Sequence, residues 1–463
     1  MPAALTSAYY AHMTDIAFLR AHGLFDARVP RYTSYPTAPV FSTEVGAEVQ
    51  AQALASLDPA EPVSVYVHIP FCERLCWFCA CRTQGTRRLS PVEAYLGSVE
   101  RELAHMAELL PRGMRMGRLH WGGGTPTILT PALIARLSDA VRAVFAPAPD
   151  FEFAVETDPT MIDAAKIEAL RAAGMTRASI GVQDFDPRVQ MAIGRHQPVE
   201  TTRACVEALR AAGVTSLNLD LVYGLPHQTE TTLATTLEAA LQLAPDRIAL
   251  FGYAHVPHMA KRQQLIDETA LPGDEARHQL ARQAARQFAG AGFDAIGIDH
   301  FARPADSLAE AARRGRLRRN FQGYTDDTCT TLIGIGASAV SRFPQGYVQN
   351  AAATMAYVER IGRFGLAGAR GHVFSAEDRL RARAIEQLLC DFRTDDAAIR
   401  REIGPDRGAL RCAHLAVKAR FGDLVELGDD GLAIRPEARP LARIIASAYD
   451  AYGDTGAIYS KAS

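Results

Sequence analysis

Cys72, Cys76 and Cys79 stand on a C-x-x-x-C-x-x-C spacing, directly after an apolar run, and Cys81 follows two residues later. Four thiolates normally hold a 4Fe–4S cluster, one per iron. Three in one compact loop leave one iron without a protein ligand, and an open iron can bind a cofactor and do chemistry rather than only store an electron. Structural zinc is the main alternative. It usually closes with four ligands, often in two separated pairs, and no second C-x-x-C follows here. Cys205, Cys329, Cys390 and Cys412 are scattered and read as free thiols rather than a disulfide framework.

Other polar clusters recur at regular intervals. Trp121-Gly122-Gly123-Gly124-Thr125-Pro126-Thr127 supplies bare backbone N–H groups that a ligand can approach. It lacks the Lys-Ser/Thr of a phosphate loop, and a tight strand-to-helix turn is the alternative. Glu156-Thr157-Asp158-Pro159, Gln183-Asp184-Phe185, Asp220 before Tyr223-Gly224-Leu225-Pro226, and Tyr253-Ala254-His255 complete the series. Glu156 and Asp220 suit ribose hydroxyls or an ammonium group, or else simple helix caps.

Each cluster ends a short β-rich run: Val63–Ile69, Arg118–Trp121, Phe151–Val155, Arg177–Val182, Ser216–Leu221 and Arg247–Tyr253. Apolar residues at helical spacing follow Pro91, and further helical segments span 131–146, 161–174, 200–213 and 229–243. Such alternation predicts an α/β fold with a parallel sheet and right-handed crossovers. The number of units favours a barrel or partial barrel. Barrel enzymes place their chemistry at the C-terminal ends of strands, where all these clusters fall.

The chain has 463 residues, 48% hydrophobic, with net charge −2. That is enough for a large catalytic domain and a smaller one, and the charge argues against generic nucleic-acid binding. No secretory leader or spanning segment is evident, so a cytoplasmic location is expected, where reduced conditions suit an oxygen-sensitive cluster.

The thiol loop resembles that of radical S-adenosylmethionine (SAM) enzymes, and the ordered set of motifs resembles oxygen-independent coproporphyrinogen III oxidases. The resemblance runs from about Pro30 to Gly431. It includes Pro30-Arg31-Tyr32-Thr33-Ser34-Tyr35-Pro36-Thr37, the thiol loop with Cys81, His120 to Thr127, Ser179 to Phe185, Asp220 to Pro226 and Tyr253 to His255. It also includes Asp299 to Pro304 and Asn320-Phe321-Gln322-Gly323-Tyr324-Thr325. It implies a partial (β/α) barrel of radical SAM type, and a 5′-deoxyadenosyl radical that removes a β-hydrogen from a propionate of coproporphyrinogen III. Loss of CO₂ and an electron on rings A and B then leaves two vinyl groups, giving protoporphyrinogen IX.

By the same resemblance, Cys72, Cys76 and Cys79 bind the cluster. Tyr66, Phe78, Gly123 and Glu156 surround the SAM on it. Gly124, Thr125, Gln183, Arg195, Asp220, Ala254 and Val340 surround a second SAM, beside Phe321 and Gln322. Cys81 is a catalytic thiol that ligates no iron. Expected partners are the porphyrinogen and a low-potential donor such as flavodoxin or ferredoxin, with the protein a monomer. Ala80, Arg82 and Gly252 depart from the family pattern. A tetracarboxylate substrate calls for cations: the run Arg313, Arg314, Arg316, Arg318, Arg319, or its rival Arg31. The run also reads as a solvated helix face.

The expected domains are an N-terminal extension over the barrel mouth (1–60), the partial barrel (61–370) and a mainly helical C-terminal domain with a hairpin (371–463). Ser375-Ala376-Glu377-Asp378 opens the last as a capping box. Helices before a hairpin also suggest a winged DNA-binding module, but no basic recognition helix stands out. The rival functions are a related haem-binding chaperone and a non-catalytic zinc or iron–sulfur scaffold.

Overall fold

The computed structural model describes residues 16–453 and 459–462; residues 1–15 of the expected N-terminal extension, and 454–458 and 463 of the expected C-terminal domain, lie outside these. Twelve strands form the main sheet. They are β1 Val63–Ile69, β2 Arg115–Gly123, β3 Ala146–Thr157, β4 Arg177–Gln183, β5 Ser216–Tyr223, β6 Arg247–Gly252, β7 Asp294–Ile296, β8 His300–Ala302, β9 Leu332–Ile335, β10 Val340–Phe343, β11 Gly346–Asn350 and β12 Gly368–Val373. Their order is β12-β11-β10-β9-β1-β2-β3-β4-β5-β6-β8-β7. Pairing is parallel from β9 through β1 to β6 and antiparallel at both ends. The order is linear, which makes the barrel a partial one. The antiparallel ends had no counterpart in the expected βα alternation.

The period-2 alternation of a strand separates two functions within β1. Val63, Val65, Val67 and Ile69 are at most 2% exposed and pack under the helices. Tyr66 and His68 occupy the other face, where the Tyr66 hydroxyl meets His68 Nδ1 at 3.0 Å. Helices α1 Ser90–Leu109, α2 Pro131–Val144, α3 Ala164–Ala172, α4 Val199–Ala211 and α5 Glu230–Gln242 return the chain between strands. Their starts are specified locally. Thr130, Asp163 and Thr229 accept first-turn backbone N–H groups, each worth about 1 kcal/mol.

One buried carboxylate fixes the far side of the sheet. Glu102 of α1 accepts from Gly336 N (2.9 Å), Asn350 Nδ2 (2.7 Å) and the Tyr357 hydroxyl (2.7 Å). Burial pushes its carboxyl up to about 7 despite these bonds.

A second core joins the chain's two ends. Leu19, Leu24, Phe25, Tyr32 and Tyr35 pack with Leu380, Leu388, Ile445 and Tyr449. Ser375 caps the helix Ala376–Asp391 through the expected capping box. Val425–Leu427 pairs antiparallel with Leu432–Ile434 as the expected hairpin. Polar bonds stitch the same seam: Tyr32 donates to Asp450 (3.0 Å), Ala451 N donates to the Tyr35 hydroxyl (2.9 Å), and Arg443 Nη2 donates to Val29 O (2.7 Å).

Candidate active site

At the C-terminal ends of the parallel strands lies a cavity of about 570 Å³. Cys72, Cys76, Cys79 and Cys81 line it. The thiol loop is tied to neighbouring strand ends by its backbone: Gly124 N donates to Ile69 O and Thr125 N to Phe71 O, both at 2.8 Å, and Trp77 N to Ile193 O at 2.9 Å. Among the described residues no three His, Cys, Asp or Glu side chains converge tightly enough for a single metal ion.

The glycine run is required by what crowds it. A Cβ on Gly122 would lie 2.5 Å from Glu156 Oε1, and one on Gly124 2.5 Å from Phe71 O. Gly123 has φ +107°, and its Cβ would enter the His68 ring at 2.3 Å. The bare backbone lets Gly123 N donate to Glu156 Oε2 at 2.9 Å. Burial alone would raise the Glu156 carboxyl, but the His120 bond and charge and the Gly123 N–H outweigh it and hold it below its ordinary range. Asp220 goes the other way. Burial, followed by the Glu156 charge, pushes it up to about 6, although Ser179 and Asn218 donate to it at 3.0 and 2.8 Å.

Arg195 is buried, with Nη2 on Gly181 O at 2.8 Å and Nη1 3.5 Å from both Cys76 Sγ and Asp158. Its Nε has no hydrogen-bond partner among the described residues. Cys79 is lowered to about 6, chiefly by the Cys81 thiol, and the same bond raises Cys81. Burial raises Cys72. A thiol-only donor set around open volume, with a guanidinium beside it, fits an anionic iron–sulfur cluster.

Phe78, Gly123, Gly124, Thr125, Glu156, Gln183, Arg195, Asp220 and Ala254 all line this cavity. Gln183 does so from a strained φ of +71° at a register shift in β4. Tyr66 and Val340 are not among the lining residues. They stand behind the wall, where Tyr66 pairs in register with Gly334, and Gly334 packs on the Val340 backbone. Phe321 lines a separate small cavity and meets Tyr347 edge-on. Gln322 lines neither cavity and caps a turn through its N–H on Asn320 Oδ1 at 2.8 Å.

The arginine run divides. Arg313 and Arg314 are exposed and pair with Asp294 and Glu310, Arg316 is exposed, and Arg318 pairs with Glu402. Arg319 alone turns inward, its side chain 4% exposed. Sequence reasoning missed Arg262 and Gln263. Arg262 donates to Thr83 Oγ1 (2.7 Å), and Gln263 to Phe78 O (2.7 Å) and Ala254 O (3.1 Å), latching the thiol loop to the end of β6. No local motif marks that turn. Arg82 is exposed, and its carbonyl accepts from His68.

The radical SAM superfamily profile matches residues 66–240. Together with the partial barrel and the thiol triplet at a strand end, this defines a protein of the radical SAM class. An oxygen-independent coproporphyrinogen III oxidase of Cereibacter sphaeroides (strain ATCC 17025 / ATH 2.4.3) is 59% identical over 97% of this chain and 100% of its own length. The Escherichia coli (strain K12) protein of that name is 40% identical over 91% of this chain and 93% of its own. The solved structure of coproporphyrinogen III oxidase from Escherichia coli, described as a radical SAM enzyme, superposes with a TM-score of 0.88. It is 38% identical and covers 95% of this chain and 99% of its own. The chain belongs to the family of oxygen-independent coproporphyrinogen III oxidases.

Proposed function

We infer that the protein oxidatively decarboxylates the ring A and B propionates of coproporphyrinogen III to vinyl groups without dioxygen, forming protoporphyrinogen IX in haem biosynthesis. The observation that carries this reading is the gathering of the thiol loop, the glycine run, Glu156, Gln183, Arg195 and Asp220 on one cavity, in a chain 59% identical to a named oxidase. Cys72, Cys76 and Cys79 would hold a 4Fe–4S cluster. Bound there, cluster and SAM supply the 5′-deoxyadenosyl radical.

The chain's own groups then bind, orient and shield. Glu156, held ionised and pointed by Gly123 N, suits an ammonium or ribose hydroxyls of a SAM framed by Tyr66, Phe78 and Gly123. Gly124, Thr125, Gln183, Arg195, Asp220 and Ala254, backed by Val340, suit a second SAM. Cys81, open to the cavity and without a ligand role, is placed to pass a hydrogen or an electron. Residues 30–37, bonded to the C-terminal helices, cover the mouth and keep solvent from the radical. The C-terminal unit is a lid and support for the barrel.

Among the described residues no helix is long and apolar enough to cross a membrane; the reading takes the protein as a monomer in the cytoplasm. A flavodoxin or ferredoxin would supply the electron. The test is anaerobic incubation of reconstituted, reduced protein with SAM and coproporphyrinogen III, followed by mass spectrometry. Protoporphyrinogen IX is expected. Unchanged substrate bound as a stoichiometric complex, from protein with an intact cluster, would overturn the reading.

A further inference from the structure

Beside the main cavity lies a second, of about 150 Å³, lined by Arg31, Arg319, Arg439 and Arg443, and by a single carboxylate, Asp299, among the described residues. That volume suits one short side arm of a ligand rather than a whole macrocycle. Arg31 and Gly252 line both cavities. Arg31 Nη2 donates to Gly252 O at 2.9 Å, the only hydrogen bond its side chain makes among the described residues. Gly252 has no side chain to close the passage, and a Cβ there would lie 2.8 Å from the Tyr223 hydroxyl.

Two of these cations, Arg31 and Arg319, keep donors that the described wall does not use. Arg319 is stacked over Tyr324 at 4.5 Å, and its Nη1 lies 3.7 Å from Asp299. Its buried Nε and Nη1 have no hydrogen-bond partner among the described residues. Asp299 is already committed to His300 Nδ1 at 2.6 Å. Arg443 is spent on backbone carbonyls of Val29, Pro30, Lys461 and Ala462. Burial, then the charges of Arg31 and Arg319, push it down to about 10. A buried guanidinium with unused donors, Arg319, beside the more exposed Arg31, calls for an anion with oxygen acceptors. A guanidinium fork matches a carboxylate in two parallel bonds.

We propose that this arginine-lined cavity receives a propionate carboxylate that the reaction leaves intact, held between Arg31 and Arg319, so that another propionate of the same tetrapyrrole reaches the cluster cavity. The proposal rests on the functional reading above. It makes Arg31 and Arg319 specificity-determining residues that act on affinity rather than on the chemical step.

The test uses reconstituted full-length protein under anaerobic conditions and two probes, coproporphyrin III and its tetramethyl ester, titrated by fluorescence. Wild type is expected to bind the tetra-acid much more tightly than the ester. Arg31→Gln and Arg319→Gln should each weaken tetra-acid binding about 10- to 100-fold, the loss expected for a charged hydrogen-bond pair. They should raise KM for coproporphyrinogen III by a similar factor with kcat little changed, and Arg31→Lys should recover part of the loss. Surface Arg314→Gln should change neither. Arg31→Gln carries the test alone if Arg319→Gln does not fold. Unchanged binding and KM in Arg31→Gln, with normal vinyl formation, overturn the proposal and leave the functional reading standing. Equal affinity of wild type for acid and ester also overturns it. A wild type that neither binds the tetra-acid nor decarboxylates the porphyrinogen overturns both.

Discussion

The cluster wall of the main cavity and the wall of the arginine-lined cavity beside it are assembled over different chain distances. On the cluster wall, Gly123 meets Glu156 across 33 positions and Arg195 meets Cys76 across 119. Gly123 and Glu156 sit at the ends of strands, and Cys76 and Arg195 in loops, along one edge of the parallel sheet. On the arginine-lined wall, Arg31 reaches Gly252 across 221 positions, Arg319 reaches the Arg31 carbonyl across 288, and Arg443 reaches Pro30 across 413. The first wall needs only the loops along one edge of the sheet. The second needs both ends of the chain docked on each other. On the proposed reading chemistry depends on loops along one sheet edge and recognition on long-range closure, and the two should fail separately.

The sharpest break is expected on the cluster wall. Cys76→Ser should lose bound iron and drop turnover to background, with the thermal transition of the metal-free protein little changed. Bound iron at wild-type level would contradict the ligand assignment. Cys81→Ser should keep its iron, measured by absorbance and iron content, but lose turnover on the order of 100-fold; full activity would remove the thiol from the mechanism.

Gly123→Ala comes next. It forces a side chain into φ +107° and against His68, a strain of about 1–3 kcal/mol. SAM affinity should fall about 10-fold by equilibrium titration while the three thiols still bind iron. Wild-type affinity would mean that the loop yields without cost.

The smallest effect is on stability. Asp220 titrates near 6 in the fold against an ordinary 3.8. Between about pH 4 and 6 the native state keeps a proton that the unfolded chain has released. Stability is therefore lost as pH rises through that window, and the penalty is complete above it. Asp220→Asn should raise the melting temperature of the ligand-free protein by a few degrees at pH 8 and not at pH 4. An equal gain at both pH values would assign the effect to packing.

The same contrast explains what could be read from the chain. Val63–Ile69 was read to the residue, because alternating β-branched side chains before a Pro leave little choice. The Cys loop and glycine run were legible because their spacing is local. Arg262 and Gln263 were not, since a short turn with no periodicity acquires its role only when β6 lies beside the thiol loop. The solvated-face reading of the Arg313–Arg319 run holds for most of it, but for the same reason the local pattern could not single out its one buried member. Four of its five arginines stay on the surface, and only contact with Tyr324, Asp299 and the N-terminal segment singles out Arg319. The antiparallel strands β7, β8 and β10 are too short for a pattern to announce them, and β12, Gly368–Val373, carries two glycines and no alternation of buried and exposed positions.

The most direct measurement uses coproporphyrinogen III deuterated at the β-carbons of its propionates. Reconstituted protein, SAM and a low-potential reductant would be incubated anaerobically, and 5′-deoxyadenosine and porphyrin products weighed by mass spectrometry. One singly deuterated 5′-deoxyadenosine for every vinyl group formed is the expected result. Vinyl formation with unlabelled 5′-deoxyadenosine, or 5′-deoxyadenosine with no vinyl product, would contradict a cavity that brings the propionate β-carbon to the radical.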